Sequence, residues 1–195
     1  NYLGLTHHPH VIKAARDAVE RYGSSCTGSR FLNGTLELHE ELERRLARFL
    51  GREAALCFST GFQANLGVVS ALCGKDDVIL CDRENHASIF DGCRLSFAEL
   101  RKFRHEDMGD LERQLQQASR REVRGKLIIV HGVFSMMGEI ANLKRIVELA
   151  KQYGARILVD EAHSVGVIGD HGRGAVEHCG VEGDVDLVVG TFSKS

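Results

Sequence analysis

The chain of 195 residues holds one proline, Pro9, where average usage would give about ten, beside 21 glycines where about 14 are usual. Many glycines with almost no proline imply tight turns and close backbone approaches, and exclude a flexible linker or a collagen-like chain. Neither sign of charge dominates, since 25 Lys and Arg stand against 27 Asp and Glu for a net charge of −2. That balance removes the electrostatic case for a nucleic-acid or membrane-surface partner. No apolar run approaches the ~20 residues a membrane helix needs. The opening Asn1-Tyr2-Leu3-Gly4-Leu5 has no basic lead-in, so a secretory leader is not expected.

The six cysteines, at 26, 57, 73, 81, 93 and 179, form no C-x-x-C pair, and most lie in apolar stretches such as Ala55-Leu56-Cys57-Phe58. They read as buried free thiols of a reducing, cytoplasmic compartment, with no metal site. Neither G-x-x-x-x-G-K-[ST] nor a G-x-G-x-x-G after a strand occurs, so a nucleotide-binding module lacks its glycine fingerprint. Repeats, low-complexity tracts and linkers are also absent from the sequence.

What is there is enough apolar residue, 43%, to build a sizeable core. Helical periodicity is expected over 11–22, behind Pro9, and over 36–50, where Leu38, Leu42, Leu46 and Phe49 share a face. Apolar runs of strand length follow at 54–58, 78–81, 127–130, 156–159 and 185–189, with helical segments around 61–73, 108–118 and 142–153. This alternation predicts an α/β fold: three layers, a mostly parallel sheet with helices on both faces.

Ligands of such sheets bind at the carboxyl ends of the strands. After 54–58 comes Ser59-Thr60-Gly61-Phe62-Gln63-Ala64-Asn65, a turn opening a helix, suited either to an anion or to simple N-capping. After 156–159 comes Asp160-Glu161-Ala162-His163, and after 185–189 comes Gly190-Thr191-Phe192-Ser193-Lys194. Asp160 alone could merely cap a turn, and a lone lysine is nearly always solvated. Asn85-His86-Ala87-Ser88 could be no more than a helix start. Jointly, an anion nest, a carboxylate with a histidine, and a lysine at strand ends are what pyridoxal phosphate requires.

These motifs resemble the α-oxoamine synthases, fold-type I enzymes dependent on pyridoxal 5'-phosphate, from Asn1-Tyr2-Leu3-Gly4 to Thr191-Phe192-Ser193-Lys194. The resemblance implies that Lys194 bonds the cofactor aldehyde and acts as the α-proton base. It implies that Asp160 pairs with the pyridine nitrogen, His163 bonds the phenolic oxygen and His86 stacks on the ring. Gly61, Phe62, Thr191 and Ser193 would hold the phosphate, with Ser135 beside the cofactor and Asn1 near the substrate. Thr27-Gly28-Ser29-Arg30, Asn33-Gly34-Thr35 and Ser135-Met136-Met137-Gly138 resemble the serine palmitoyltransferase branch most. His131 departs from the pattern, standing where relatives usually carry a glutamate; a neutral imidazole replaces hydrogen bonds but not charge.

The implied reaction is a decarboxylative Claisen condensation of an amino acid, L-serine, with a long-chain acyl-CoA, in a homodimer. The rivals are glycine C-acetyltransferase or 8-amino-7-oxononanoate synthase, and a non-catalytic partner subunit, against which Lys194 speaks. Residues 1–35 are expected to form an N-terminal helix and glycine-rich substrate segment, and 36–195 an incomplete large domain, truncated at its C-terminus and inactive alone. His7, His8 and His10 are expected to be a surface cluster, and the basic run of Arg120, Arg121 and Arg124 a loop and not a CoA phosphate site.

Overall fold

A computed structural model describes residues 1–194. The chain divides into two compact units, Asn1–Cys57 and Phe58–Lys194. In the first, a 3-10 turn at Leu5–His7 leads into α1 (Pro9–Tyr22), followed by α2 (Glu37–Leu50). Helix α1 starts earlier than its apolar stripe because Pro9 occupies the first turn, where its missing N–H costs nothing, and the His8 ring accepts from the His10 amide as a cap. That cap gives His8 a structural role.

The expected strand at 54–58 does not form. At Cys57 the backbone N–H donates to Glu43 at 2.8 Å and the carbonyl accepts from Arg30 at 3.3 Å. Side chains thus take the groups that a strand would offer to a ladder. Arg30 and Glu43 are themselves a two-point ion pair at 2.8 and 3.1 Å.

The second unit opens with α3 (Gly61–Leu72) and carries a five-stranded parallel sheet. Its strands are β1 (Asp77–Asp82), β2 (Glu99–Phe103), β3 (Gly125–His131), β6 (Arg156–Asp160) and β7 (Leu187–Val189), in the order β2-β1-β3-β6-β7. A separate hairpin joins β4 (Val133–Phe134) to β5 (Glu139–Ile140). The remaining helices are α4 (Ala87–Ser96), α5 (Met108–Ser119), α6 (Leu143–Tyr153) and the short α7 (Ala175–His178).

The strands feed two cores in strict alternation, as the pleat requires. Val78, Leu80, Ile128, Val130, Ile157 and Val159 pack under α5 and α6. Ile79, Cys81, Leu127, Ile129 and Leu158 pack under α3 and α4 on the opposite face. Helices therefore cover both faces, as the sequence pattern predicts. Helices α3 and α4 approach so closely that a Cβ on Gly92 would lie 3.0 Å from the Asn65 carbonyl and 3.1 Å from the Val69 side chain. Glycine is required there by space, not by φ.

The six cysteines are free, but only Cys73, Cys81 and Cys93 are buried; Cys26, Cys57 and Cys179 are half-buried, where the sequence pattern predicts burial. Burial pushes Cys73 up to about 11. Arg121 and Arg124 pair with Glu99 and Asp77, so these two members of the basic run are already neutralised.

Candidate active site

Strands β3 and β6 end side by side, with His131 and Asp160 in register. Each follows a residue facing the α5/α6 core, so the pleat turns both side chains toward α3 and α4. There Asp160 is 2% exposed. Its Oδ2 accepts from the Asn65 amide of α3 at 2.8 Å, and its Oδ1 from the Ala162 backbone N–H at 2.9 Å. The same Asn65 amide donates to Ser88 of α4 at 3.0 Å. A buried carboxylate is therefore held by neutral donors, and a cation placed against it would be stabilised strongly.

Beyond β6 the chain turns through His163, whose Nε2 lies 2.9 Å from Lys194 Nζ. Burial, and then the Lys194 charge, hold His163 below the usual imidazole range. A neutral Nε2 is thus an acceptor for the Lys194 ammonium. The turn is anchored by Glu161, fully buried, which accepts from the Ala175 and Val176 amides at 2.9 and 2.8 Å and from the Ser164 hydroxyl. Burial raises the Glu161 carboxyl above its ordinary range.

Thr60 opens α3, its hydroxyl accepting from the Gln63 amide at 3.1 Å. The Gly61 and Phe62 N–H groups stand in the first turn, where a helix leaves amides without intrahelical acceptors. A Cβ on Gly61 would sit 3.3 Å from Thr191 Cβ, so the loop after β7 closes on this helix start. The Thr191 and Ser193 hydroxyls lie 2.8 Å apart on that loop. Phe62 meets the His86 ring edge-on at 6.1 Å. The His86 side chain caps α4 by accepting from the Ser88 amide at 3.2 Å.

The structure thus brings Gly61, Thr191 and Ser193 together at the start of α3, and Lys194 to His163. Ser135 stands exposed in the turn of the β4–β5 hairpin, and no hydrogen bond joins it to these residues among those described. Asn1, in the first unit, accepts from the Thr6 amide at 3.4 Å. Ser195 lies outside the described residues. Sequence reasoning overlooked Asn65, inside α3, and Glu161 as the anchor of its turn; for Asn65 the local signal is weak, since Gln63 and Ser70 are polar residues of the same helix.

The profile of the aminotransferase class I and II family matches residues 1–195. The chain is 56% identical to the serine palmitoyltransferase of Bacteroides thetaiotaomicron, over all of this chain and 49% of that protein. It is 51% identical to the 8-amino-7-oxononanoate synthase of Geobacter sulfurreducens, over all of this chain and 49% of that protein. Its fold superposes with a TM-score of 0.96 and 48% identity on the S. paucimobilis serine palmitoyltransferase solved with bound PLP–myriocin aldimine, covering all of this chain and 50% of that one. The chain spans about half the length of the curated relatives it matches. It belongs to the aminotransferase class I and II family and, within that family, to the α-oxoamine synthases.

Proposed function

We propose that the whole protein is a pyridoxal-phosphate-dependent acyltransferase that condenses L-serine with a long-chain acyl-CoA, releasing CoA and carbon dioxide. The observation that carries this reading is the placement of Lys194 Nζ at 2.9 Å from His163, in the unit where Asp160 is buried without a cation bonded to it. Such a carboxylate fits a protonated ring nitrogen, which would supply the missing positive charge. The start of α3, closed by Thr191, fits a phosphate through N–H groups and hydroxyls.

When bound, pyridoxal phosphate supplies an electron sink for negative charge at the amino-acid α-carbon. In this reading Asp160 holds the pyridine nitrogen, and Asn65 and the Ala162 amide keep its carboxylate aimed. His86 covers the ring face, and His163 bonds the phenolic oxygen. Gly61, Phe62, Thr191 and Ser193 receive the phosphate, and Ser135 lies nearby. Lys194 Nζ would hold the cofactor aldehyde and, once displaced from it by the amino group of the substrate, would be the free amine that accepts the α-proton, with His163 Nε2 2.9 Å away. Asn1 is assigned to the amino-acid substrate, within the 1–35 segment, and 36–195 to the cofactor-binding domain. A homodimer in the cytoplasm completes the assignment; the free thiols suit a reducing compartment. No helix among the described residues is long and apolar enough to cross a membrane.

The test is to purify the complete protein, record its visible cofactor band, and follow CoA release from palmitoyl-CoA with serine, glycine or alanine. Turnover with serine is expected. A second reading, 8-amino-7-oxononanoate synthesis, has the 51% identity to the Geobacter enzyme in its favour. Turnover of alanine with a dicarboxylic acyl-CoA, and none of serine, would select it.

A further inference from the structure

His131 is 5% exposed, and both of its ring nitrogens face groups assigned to the cofactor. Nε2 accepts the His86 backbone N–H at 3.1 Å. An imidazole nitrogen that accepts carries no proton, so the neutral ring must hold its proton on Nδ1. Burial, the largest influence, holds His131 below the usual imidazole range, which agrees with a neutral ring. Yet Nδ1 has no hydrogen-bond partner, and the Asp160 carboxylate approaches it through Oδ1 at 3.8 Å. A buried donor left without an acceptor is unusual and costly in a native structure. Edge contacts with Phe134 and His163 fix the ring plane.

We propose that His131 is a positioning residue of the cofactor site, a neutral Nδ1–H imidazole that sets the place of His86 through Nε2 and presents its Nδ1–H to the Asp160 carboxylate. It links the residue covering the ring face to the residue holding the ring nitrogen, while adding no charge beside either. This rests on the functional reading above. The other titratable groups around the ring are Asp160, which favours its protonation, and His86 and Lys194, which oppose it; His163 packs against its edge.

Two substitutions separate the two nitrogens. In His131→Gln the side-chain oxygen reaches the Nε2 position and still accepts from His86, but the donor toward Asp160 is lost. In His131→Asn the amide can replace Nδ1–H, but the acceptor for His86 is lost. In the complete protein, His131→Asn should weaken pyridoxal phosphate affinity about five- to tenfold, as for one lost hydrogen bond, while His131→Gln, which keeps the His86 bond and gives up only the longer 3.8 Å approach to Asp160, should weaken it by about twofold. His131→Glu adds a carboxylate beside Asp160 and should move the apparent pKa of the visible cofactor band up by about one unit. Nitrogen NMR of the wild-type protein without cofactor should find the His131 proton on Nδ1.

A proton on Nε2, or variants that lose only thermal stability with unchanged affinity and band, would overturn this inference alone. If His131→Glu fails to fold, the Asn and Gln affinities decide. A wild-type protein with no visible band overturns the functional reading and the role of His131 with it.

Discussion

The two ends of the parallel sheet treat their carboxylates in opposite ways. At the amino end, Asp77 is paired with Arg124 at 2.6 Å and Asp186 with Arg156 at 2.7 Å, and both arginines lie largely in water. At the carboxyl end, Asp82, Asp160 and Glu161 are buried and held by backbone N–H, amide, hydroxyl and imidazole groups. The first arrangement neutralises charge locally: the largely solvated Arg156–Asp186 pair contributes little, and even Asp77, itself buried, has its charge met by a guanidinium. The second keeps buried carboxylates in a low-dielectric place without spending them on guanidinium groups, where a bound cation or proton would be felt strongly. The difference separates charges that trim an edge from charges kept for chemistry.

The largest effect expected of this contrast lies at the carboxyl end. In the complete protein, Lys194→Ala should remove the visible cofactor band and lower CoA release by about a thousandfold or more, measured under saturating substrates. A retained band would place the aldehyde-bonding amine elsewhere. Next, Glu161→Ala should destabilise the fold by about 3 kcal/mol, because the Ala175 and Val176 amides lose their buried acceptor. Urea unfolding monitors it, and a loss as small as that of a surface ion pair would erase the distinction between the two ends.

His105 gives a pH-dependent version of the same test. Its Nδ1 meets Asp82 at 2.9 Å and its Nε2 meets Glu139 at 3.0 Å, and only an imidazolium can donate to both. Burial opposes its charge, but the hydrogen bonds to Asp82 and Glu139 and the charges of Asp82 and Glu106 outweigh burial and raise its affinity for the proton. Because the folded value lies above the unfolded one, its stabilisation is complete below about pH 6.5 and is lost as pH rises through the folded value. The urea midpoint of wild type should therefore fall between pH 6 and pH 8.5 relative to that of His105→Asn. Equal slopes in the two proteins would show that the histidine is not charged. Smallest of all, Arg156→Ala at the amino end should cost less than about 1 kcal/mol, since Asp186 keeps its bond to the Ile157 amide at 2.8 Å.

Much of this architecture is legible in the residues. The runs around Val78–Cys81, Leu127–Val130 and Ile157–Val159 form strands because a strand buried on both faces needs unbroken apolar residues. β2 escapes that rule. Glu99-Leu100-Arg101-Lys102-Phe103 lies at the sheet edge, where only Phe103 is buried, so its composition does not announce a strand. The run at 54–58 fails in the other direction, since Glu43 and Arg30 intercept its backbone at Cys57. The site shows the same limits. Asp160, His163 and Lys194 stand at strand ends that the periodicity locates. Asn65 and His131 reach their partners only through the packing of helices and strands distant in sequence.

The sequence by itself determined the layers: strand and helix periods, the excess of glycine over proline, and the polar residues at the ends of apolar runs. Those are local properties, set by the backbone repeat and by which face must leave water. Only the tertiary structure decided which polar groups are buried together and which nitrogen of His131 bears the proton. Burial and hydrogen-bond partnership depend on neighbours brought from distant positions, as Asn65 is to Asp160, and no local spacing records them.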